Sequence, residues 1–459
     1  MPKSPVAEPH PGHAAVPEYV GSDFTDTPPG HRFGLYLRAW DKGKDFILLA
    51  DKKRQTVQEL APVGPYARDL IRAARRRQAR AARTLGPCVL QLSARSTSPL
   101  VTGTGIEHPL ENGFAFLSPY GIPYLPGSSI KGVIRRAAEE LALGLWEERR
   151  GWDIASVWWL FGFEAGSAYL TGATDKMRVE VVREAAEGWR ERFRAAIRSG
   201  QVDLRGVAAF IEKAADRETK KEYADNPHGF LQRLAEERST KPRSPAPLRE
   251  RIHFKGALCF WDGLIEPAKD RLAVDILNPH FGDYYQKGCS PADCGQPVPN
   301  FFLTVAPGSQ FDFFVQVVDR RLPDDLSKGW RGLIEGAFRL AFEWHGLGAK
   351  GAVGYGRLQL VPKEQEVVNA GAGVRTGGPS EFEAKIAQIR ALPHGGQAAG
   401  QISPFVDWCL ALADAGSQRV AAIEILKCLD PKWVKTKAKE HERWRKILAF
   451  ARDRGTAGN

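Results

Sequence analysis

Apolar and polar residues alternate in CVLQLSARS, from Cys88, which predicts a half-buried strand. FFLTVAPGSQFDFFVQVVD, from Phe301, predicts two strands with Pro307-Gly308 at the turn. RIHFKGALCFWDG, from Arg251, sets Ile252 and Phe254 against His253 and Lys255 and predicts a return of β structure there. Arg32 to Leu49 predicts a hairpin with Asp41-Lys42-Gly43 near its turn. Helical spacing governs other stretches. Tyr66 to Leu85 reads as one helix. After Gly132, apolar residues at Val133, Ile134, Ala137, Leu141 and Trp146 predict a second. Asp153 to Phe163 predicts a short helix ending at Gly162, and Trp330 to Glu343 a further one with an apolar face. The order strand–helix–strands–helix–strand is an α+β layout.

Around this core the composition shifts. Met1 to about Gly30 is rich in Pro, Gly, His and Ser, and is expected to be a flexible arm. Residues 31–87 form an N-terminal extension carrying the Arg-rich helix. The core runs over 88–362, interrupted at about 174–250 by a polar, helix-prone insertion that ends in STKPRSPAPLRE. Residues 363–380 contain the linker GAGVRTGGPS. Residues 381–459 read as helical, either as a separate small module or as an appendage docked onto the core.

Of the 459 residues, 43% are hydrophobic and 26% charged, enough apolar material for a real core. The net charge of +11 favours a polyanionic partner. Six cysteines in so long a chain make no disulfide framework. Cys289 and Cys294 lie close together, yet no second pair or clear His partner completes a zinc spacing, so neither metal nor cofactor is expected. No apolar run reaches membrane-spanning length and MPKSPVAEPHPGH lacks a signal-peptide core. The expectation is a cytoplasmic protein without a membrane partner.

Four stretches bear on an anionic ligand. In GIPYLPGSSIKGVIRRAAEE, from Gly121 to Glu140, Pro126-Gly127 signals a turn and Ser128 or Ser129 can cap the helix that follows. Lys131 and Arg135 then lie near a helix N-terminus, where free N–H groups suit phosphate; the plainer reading is an ordinary helix start with a solvated lysine. Gly346, Gly348, Gly351, Gly354 and Gly356, with Lys350, Tyr355 and Arg357, can build a backbone nest for anions. The spacing is neither a P-loop nor a dinucleotide fingerprint, and the order helix–loop–strand favours a cradle for a longer polymer; the alternative is a turn whose glycines serve packing. Arg68, Arg72, Arg76, Arg80 and Arg83 share one helix face with no acid after Asp69, so their repulsion calls for a nearby anion, unless the face is simply solvated. LAVDILNPHFGDYYQKG, from Leu272, gathers Asp275, Asn278, His280, Asp283, Tyr284 and Tyr285. His280 is a conceivable general base, but no nucleophile adjoins it, and core anchoring or base stacking by the tyrosines is favoured over catalysis.

PYLPGSSIKGVIR, DILNPHFGDYYQKG and LGAKGAVGYGRL, in this order, resemble the RAMP proteins of CRISPR–Cas systems. The middle motif with PNFFLTVAPGSQFDFFV is similar to the family of the sixth Cmr subunit of type III-B effectors. The resemblance covers about Cys88 to Val361. It implies a ferredoxin-like (RRM-like) core in a non-catalytic, RNA-binding subunit near the crRNA 3′ end. The implied partners are crRNA, target RNA duplexed with it, other Cmr RAMP subunits and the small helical Cmr subunit. The residues expected to meet RNA are Ser128, Ser129, Lys131, Arg135, Lys255, His280, Gly348, Lys350, Gly351, Tyr355 and Arg357, with Arg72, Arg76, Arg80 and Arg83 as additional contacts. Lys131 and Arg135 fall on the family's PGSxxKGxxR pattern, and Asn278, Pro279 and His280 on its NPH-type stretch. A RAMP endoribonuclease that processes precursor crRNA, with His253 or His280 as base, is the alternative. The Arg-rich helix and the part after Pro362 depart from the family pattern.

Overall fold

A computed structural model describes residues 12–148, 150–174, 177–236, 247–278, 299–318 and 322–361, together with helical stretches between 385 and 452. The chain divides into two compact units, Met1–Glu366 and Val367–Asn459.

The first unit is built on an antiparallel sheet. Its strands are β4 (Val89–Ser96), β5 (Phe116–Leu117), β6 (Ile122–Leu125), β7 (Leu258–Phe260), β8 (Gly263–Glu266), β11 (Gln310–Val317) and β12 (Leu358–Leu360). Along the sheet the order is β12-β4-β11-β8-β6-β5, with β7 also pairing with β11. Helix α4 (Gly127–Ala142) lies between β4 and β8 in sequence, and α11 (Asp324–Leu340) between β11 and β12. Adjacent residues of a strand point to opposite faces. Phe311, Phe313 and Val315 of β11 join Leu90, Leu92 and Ala94 of β4 in the main core beneath α4 and α11. There the Phe313 ring lies 5.4 Å from Phe338 and 5.3 Å from Phe342.

The other face is covered too. Helix α3 (Pro65–Leu85) lays Ala67, Ile71 and Ala74 against Ile122 and Leu264, and Ala82 against Val89 and Phe314. The sequence reading left its arginines without acids. The acids come instead from β8 and the turn that follows it: Arg72 pairs with Glu266 at 3.0 Å and Arg68 with Asp270 at 3.2 Å. Arg75 bonds both Glu266 and Asp312, the latter at 2.8 Å, and Ser93 donates to the second Asp312 oxygen. Arg76, Arg77, Arg80 and Arg83 face solvent.

Two expectations at the margins change. The arm expected to be flexible is ordered from Gly12 onward: β1 (His13–Ala14) pairs with β2 (Arg38–Asp41), which pairs with β3 (Ile47–Leu48) in the expected hairpin. The reason is apolar and polar anchorage. Phe24 stacks on Tyr36 at 4.4 Å, and buried Arg32 donates to the carbonyls of Thr27, Glu59 and Pro62. The second change concerns Arg251–Ala257, which is not strand. There the His253 and Ala257 N–H groups donate to the carbonyls of Ala214 and Trp159, and the Phe254 carbonyl accepts from Phe163, so this backbone docks onto helices. The two strands around Pro307-Gly308 form as expected but enter different sheets. β10 (Asn300–Thr304) pairs with β9 (Ala273–Leu277) in a separate two-stranded sheet.

The insertion forms α7 (Glu180–Arg198), α8 (Leu204–Ala214), α9 (Arg217–Asp225) and α10 (Pro227–Glu236). Phe193, Phe210 and Phe230 are buried in the same cluster as the sheet. Phe210 packs 5.3 Å from Trp158 of α5 (Ile154–Phe161), whose N-cap Asp153 accepts from the Ser156 N–H. The second unit contains α12 (Ser403–Ala411), α13 (Ala415–Lys427) and α14 (Glu442–Arg452) around Val406, Cys409, Ile425 and Ile447. Among the described residues, no helix is long and apolar enough to cross a membrane.

Candidate nucleic-acid interface

The start of α4 differs from the serine cap expected. The helix begins at Gly127 with Pro126 at its N-cap position and no side-chain cap from Ser128 or Ser129. The Gly127 N–H donates instead to the Asp262 carboxylate at 2.8 Å. Close packing explains the difference: a Cβ on Gly127 would lie 2.2 Å from the Phe260 carbonyl, so the loop after β7 sits directly on the helix end. Ser128 and Ser129 are thereby left exposed.

One turn further on, Lys131 is half-buried and, among the described residues, its side chain has no hydrogen bond or ion pair. Burial pushes its ammonium below the usual lysine range, with Arg135 and Lys255 adding to the effect and Cys259 and Glu164 opposing it. Lys131, Arg135 and Lys255 therefore share one neighbourhood. Arg135 is committed internally, with Glu139 at 2.8 Å, Glu164 at 3.0 Å and the Ser167 hydroxyl at 3.2 Å. Lys255 is exposed. A half-buried cation with no hydrogen bond or ion pair of its own is able to take an external anion.

The glycine loop is not an open nest along most of its length. The N–H groups of Gly346, Leu347, Ala349, Gly354 and Tyr355 donate to backbone carbonyls, as does that of Gly356, to Pro99, at 2.7 Å. The Arg357 N–H donates to the Ser98 hydroxyl at 2.9 Å. The glycines serve close approach. At Gly348 (φ +84°) and Gly356 (φ +79°) a Cβ would stand 2.1 Å from the Val101 carbonyl and 2.0 Å from the Leu347 carbonyl. Gly351 has a similar role beside the His345 carbonyl. The side chains then fasten the loop to its neighbours. Lys350 Nζ lies 5.1 Å over the Phe302 ring, and Arg357 donates to the Glu343 carbonyl at 2.6 Å. The Tyr355 hydroxyl donates to Asp275 at 2.6 Å; burial and this bond push it up to about 12. Asn278 is exposed at the end of β9; His280, Tyr284, Tyr285, Cys289 and Cys294 lie outside the described residues.

The two clusters sit along one helix. Lys131 is near the start of α4, and Glu140, nine residues on, lies about 13.5 Å further by helical rise. There Glu140 meets His345 at 3.0 Å, Arg136 at 3.0 Å and the Trp146 indole N–H at 3.0 Å. Burial holds the His345 imidazole below its ordinary range, against the pull of Glu140. Sequence reasoning missed this group and Asp262. The turn-like Asp262-Gly263 pair was a usable signal for the latter; the Glu140–His345 pair, 205 residues apart, had none.

Residues 94–359, more than half of the chain, match the family model of the RAMP superfamily, and the chain belongs to that superfamily. Among individual proteins it is similar to the CRISPR system Cmr subunit Cmr6 of Pyrococcus furiosus, at 28% identity over 282 residues, which is 58% of this chain and 66% of that protein. The chain thus spans just under two thirds of this relative's length. The crystal structure of Cmr6 from P. furiosus aligns at 25% identity over 60% of this chain and 98% of that one, with a TM-score of 0.25. A chain of the cryo-EM structure of the type III-B Cmr-beta bound to cognate target RNA aligns at 16% identity, over 70% and 76% of the two chains, with a TM-score of 0.39. Scores this low transfer no geometry.

Proposed function

We propose that the protein is a non-catalytic RNA-binding subunit of a cytoplasmic type III-B (Cmr) CRISPR–Cas effector, positioned near the crRNA 3′ end and assisting target RNA interference. Its partners are crRNA, the target RNA paired with it, and other Cmr subunits. Family membership and the likeness to Cmr6 support the setting. The observation that carries RNA binding is Lys131, a half-buried cation with no hydrogen bond or ion pair among the described residues, beside exposed Lys255, in a chain of net charge +11. The core is read as ferredoxin-like. The strand order β12-β4-β11-β8, with one helix after the first strand and one after the third, supports this.

Phosphate contact releases counterions, so affinity for RNA falls steeply with salt. Purification of the tagged protein from its native cells, with sequencing of bound RNA, tests the reading. Mature crRNAs accompanied by several Cmr subunits are expected, and the variant K131E/K255E should retain less RNA with a shallower salt dependence. Recovery of unprocessed precursor alone would overturn the reading in favour of an endoribonuclease.

A further inference from the structure

Trp344 is 58% exposed, and among the described residues no other tryptophan is so exposed. An indole left in water forgoes a large apolar burial, and such rings mark contact sites when they are held rigidly. Trp344 is held. It stands on the wide turn Ala341–His345 that ends α11, closed by the Gly346 N–H donating to the Ala341 carbonyl at 2.8 Å. Turns of this π type are rare and occur preferentially at functional sites.

Three anchors surround the ring. Trp146 packs against it, centroids 5.2 Å apart, and is itself locked through its indole N–H to Glu140. His345, the next residue, bonds the same carboxylate. Arg357 donates to the carbonyl of Glu343, the residue before. The platform is also continuous with the glycine loop, since a Cβ on Gly351 would lie 2.8 Å from the His345 carbonyl. Arg136 and Arg357 are the nearby cations, and both are engaged, Arg136 with Glu140 and Arg357 with the Glu343 carbonyl, so the spot is not a phosphate site. What it offers is a rigid π-face anchored through Glu140 to the same helix that carries Lys131, about 13.5 Å along it by helical rise.

The geometry points to Trp344 as a stacking platform for one unpaired nucleobase of the bound RNA. This rests on the RNA-binding reading above, and it assigns a base contact where that reading has only phosphate contacts.

The test uses the full-length protein in fluorescence anisotropy titrations at fixed salt, with labelled oligouridine and a matched abasic strand. Stacking on one aromatic ring gives about 5- to 150-fold in affinity. W344A should lose that factor for oligouridine and little for the abasic strand, W344F should keep most of it, and the salt slope should not move. Unchanged oligouridine affinity in W344A would overturn the platform while K131E/K255E still shows RNA binding to be real. Loss of co-purifying proteins from W344A with RNA affinity intact would also overturn it, assigning the ring to a protein contact. Should the wild-type protein bind neither strand, the RNA reading itself fails and the platform fails with it.

Discussion

The carboxylate of Asp262 accepts the Gly127 N–H at 2.8 Å, so the helix carrying Lys131 and Arg135 is capped from a loop 135 residues further along the chain. A negative charge thus already sits at the helix start, where the sequence suggested an anion. The positive end of the helix dipole is shared between this internal carboxylate and any external one.

Replacing Asp262 separates the two roles. D262A should cost about 0.5–2 kcal/mol in stability, as lost N-caps do, seen as a lowered Tm. D262N keeps an acceptor for the Gly127 N–H and should lose less. Both remove a charge that repels phosphate, so both should raise RNA affinity in titrations at low salt. Unchanged affinity would mean that RNA does not approach this end of α4.

Arg75 is the arginine of α3 whose loss should matter for folding. Its side chain is 15% exposed, and it neutralises Glu266 and Asp312, at 20% and 12%. R75M leaves the largely buried Asp312 without its ion pair and Glu266 with Arg72 alone, and should cost about 3–5 kcal/mol in denaturant unfolding. R80M and R83M alter exposed positions and should stay within about 0.5 kcal/mol. An R75M protein as stable as the wild type would show that the ion network contributes nothing net.

Two alanine substitutions in the glycine loop should differ sharply. Both positions have positive φ, +79° at Gly356 and +90° at Gly354. At Gly354 the space is open, so G354A carries only the left-handed backbone cost, about 1–2 kcal/mol. At Gly356 the new methyl also meets the Leu347 carbonyl at 2.0 Å, so G356A must break the pairing of Leu347 with Gly356 that closes the loop. Thermal denaturation should show a modest loss for the first and a much larger one for the second.

Local patterns were legible where one segment decides its own structure. The helices Pro65–Leu85 and Ile154–Phe161 and the strands Val89–Ser96 and Gln310–Val317 follow from periodicity, and Gly162 stops its helix at φ +100°. Partners across the chain were not legible. Nothing near Arg72 or Arg75 announces Glu266, 194 and 191 residues away, or Asp312. Periodicity located strands on both sides of Pro307-Gly308, but which sheet each joins depends on the contest for β9 and β4. The glycine spacing allowed either an anion nest or a turn whose glycines serve packing; the carbonyls of Pro99 and Val101, two hundred and more residues upstream, accept from its N–H groups.

Among the described residues, α4 and α11 cover one side of the main sheet and α3 packs on the other. Whatever docks on this unit therefore meets the outer sides of these helices, or the strand ends, edges and loops around the sheet, and never the sheet's own faces.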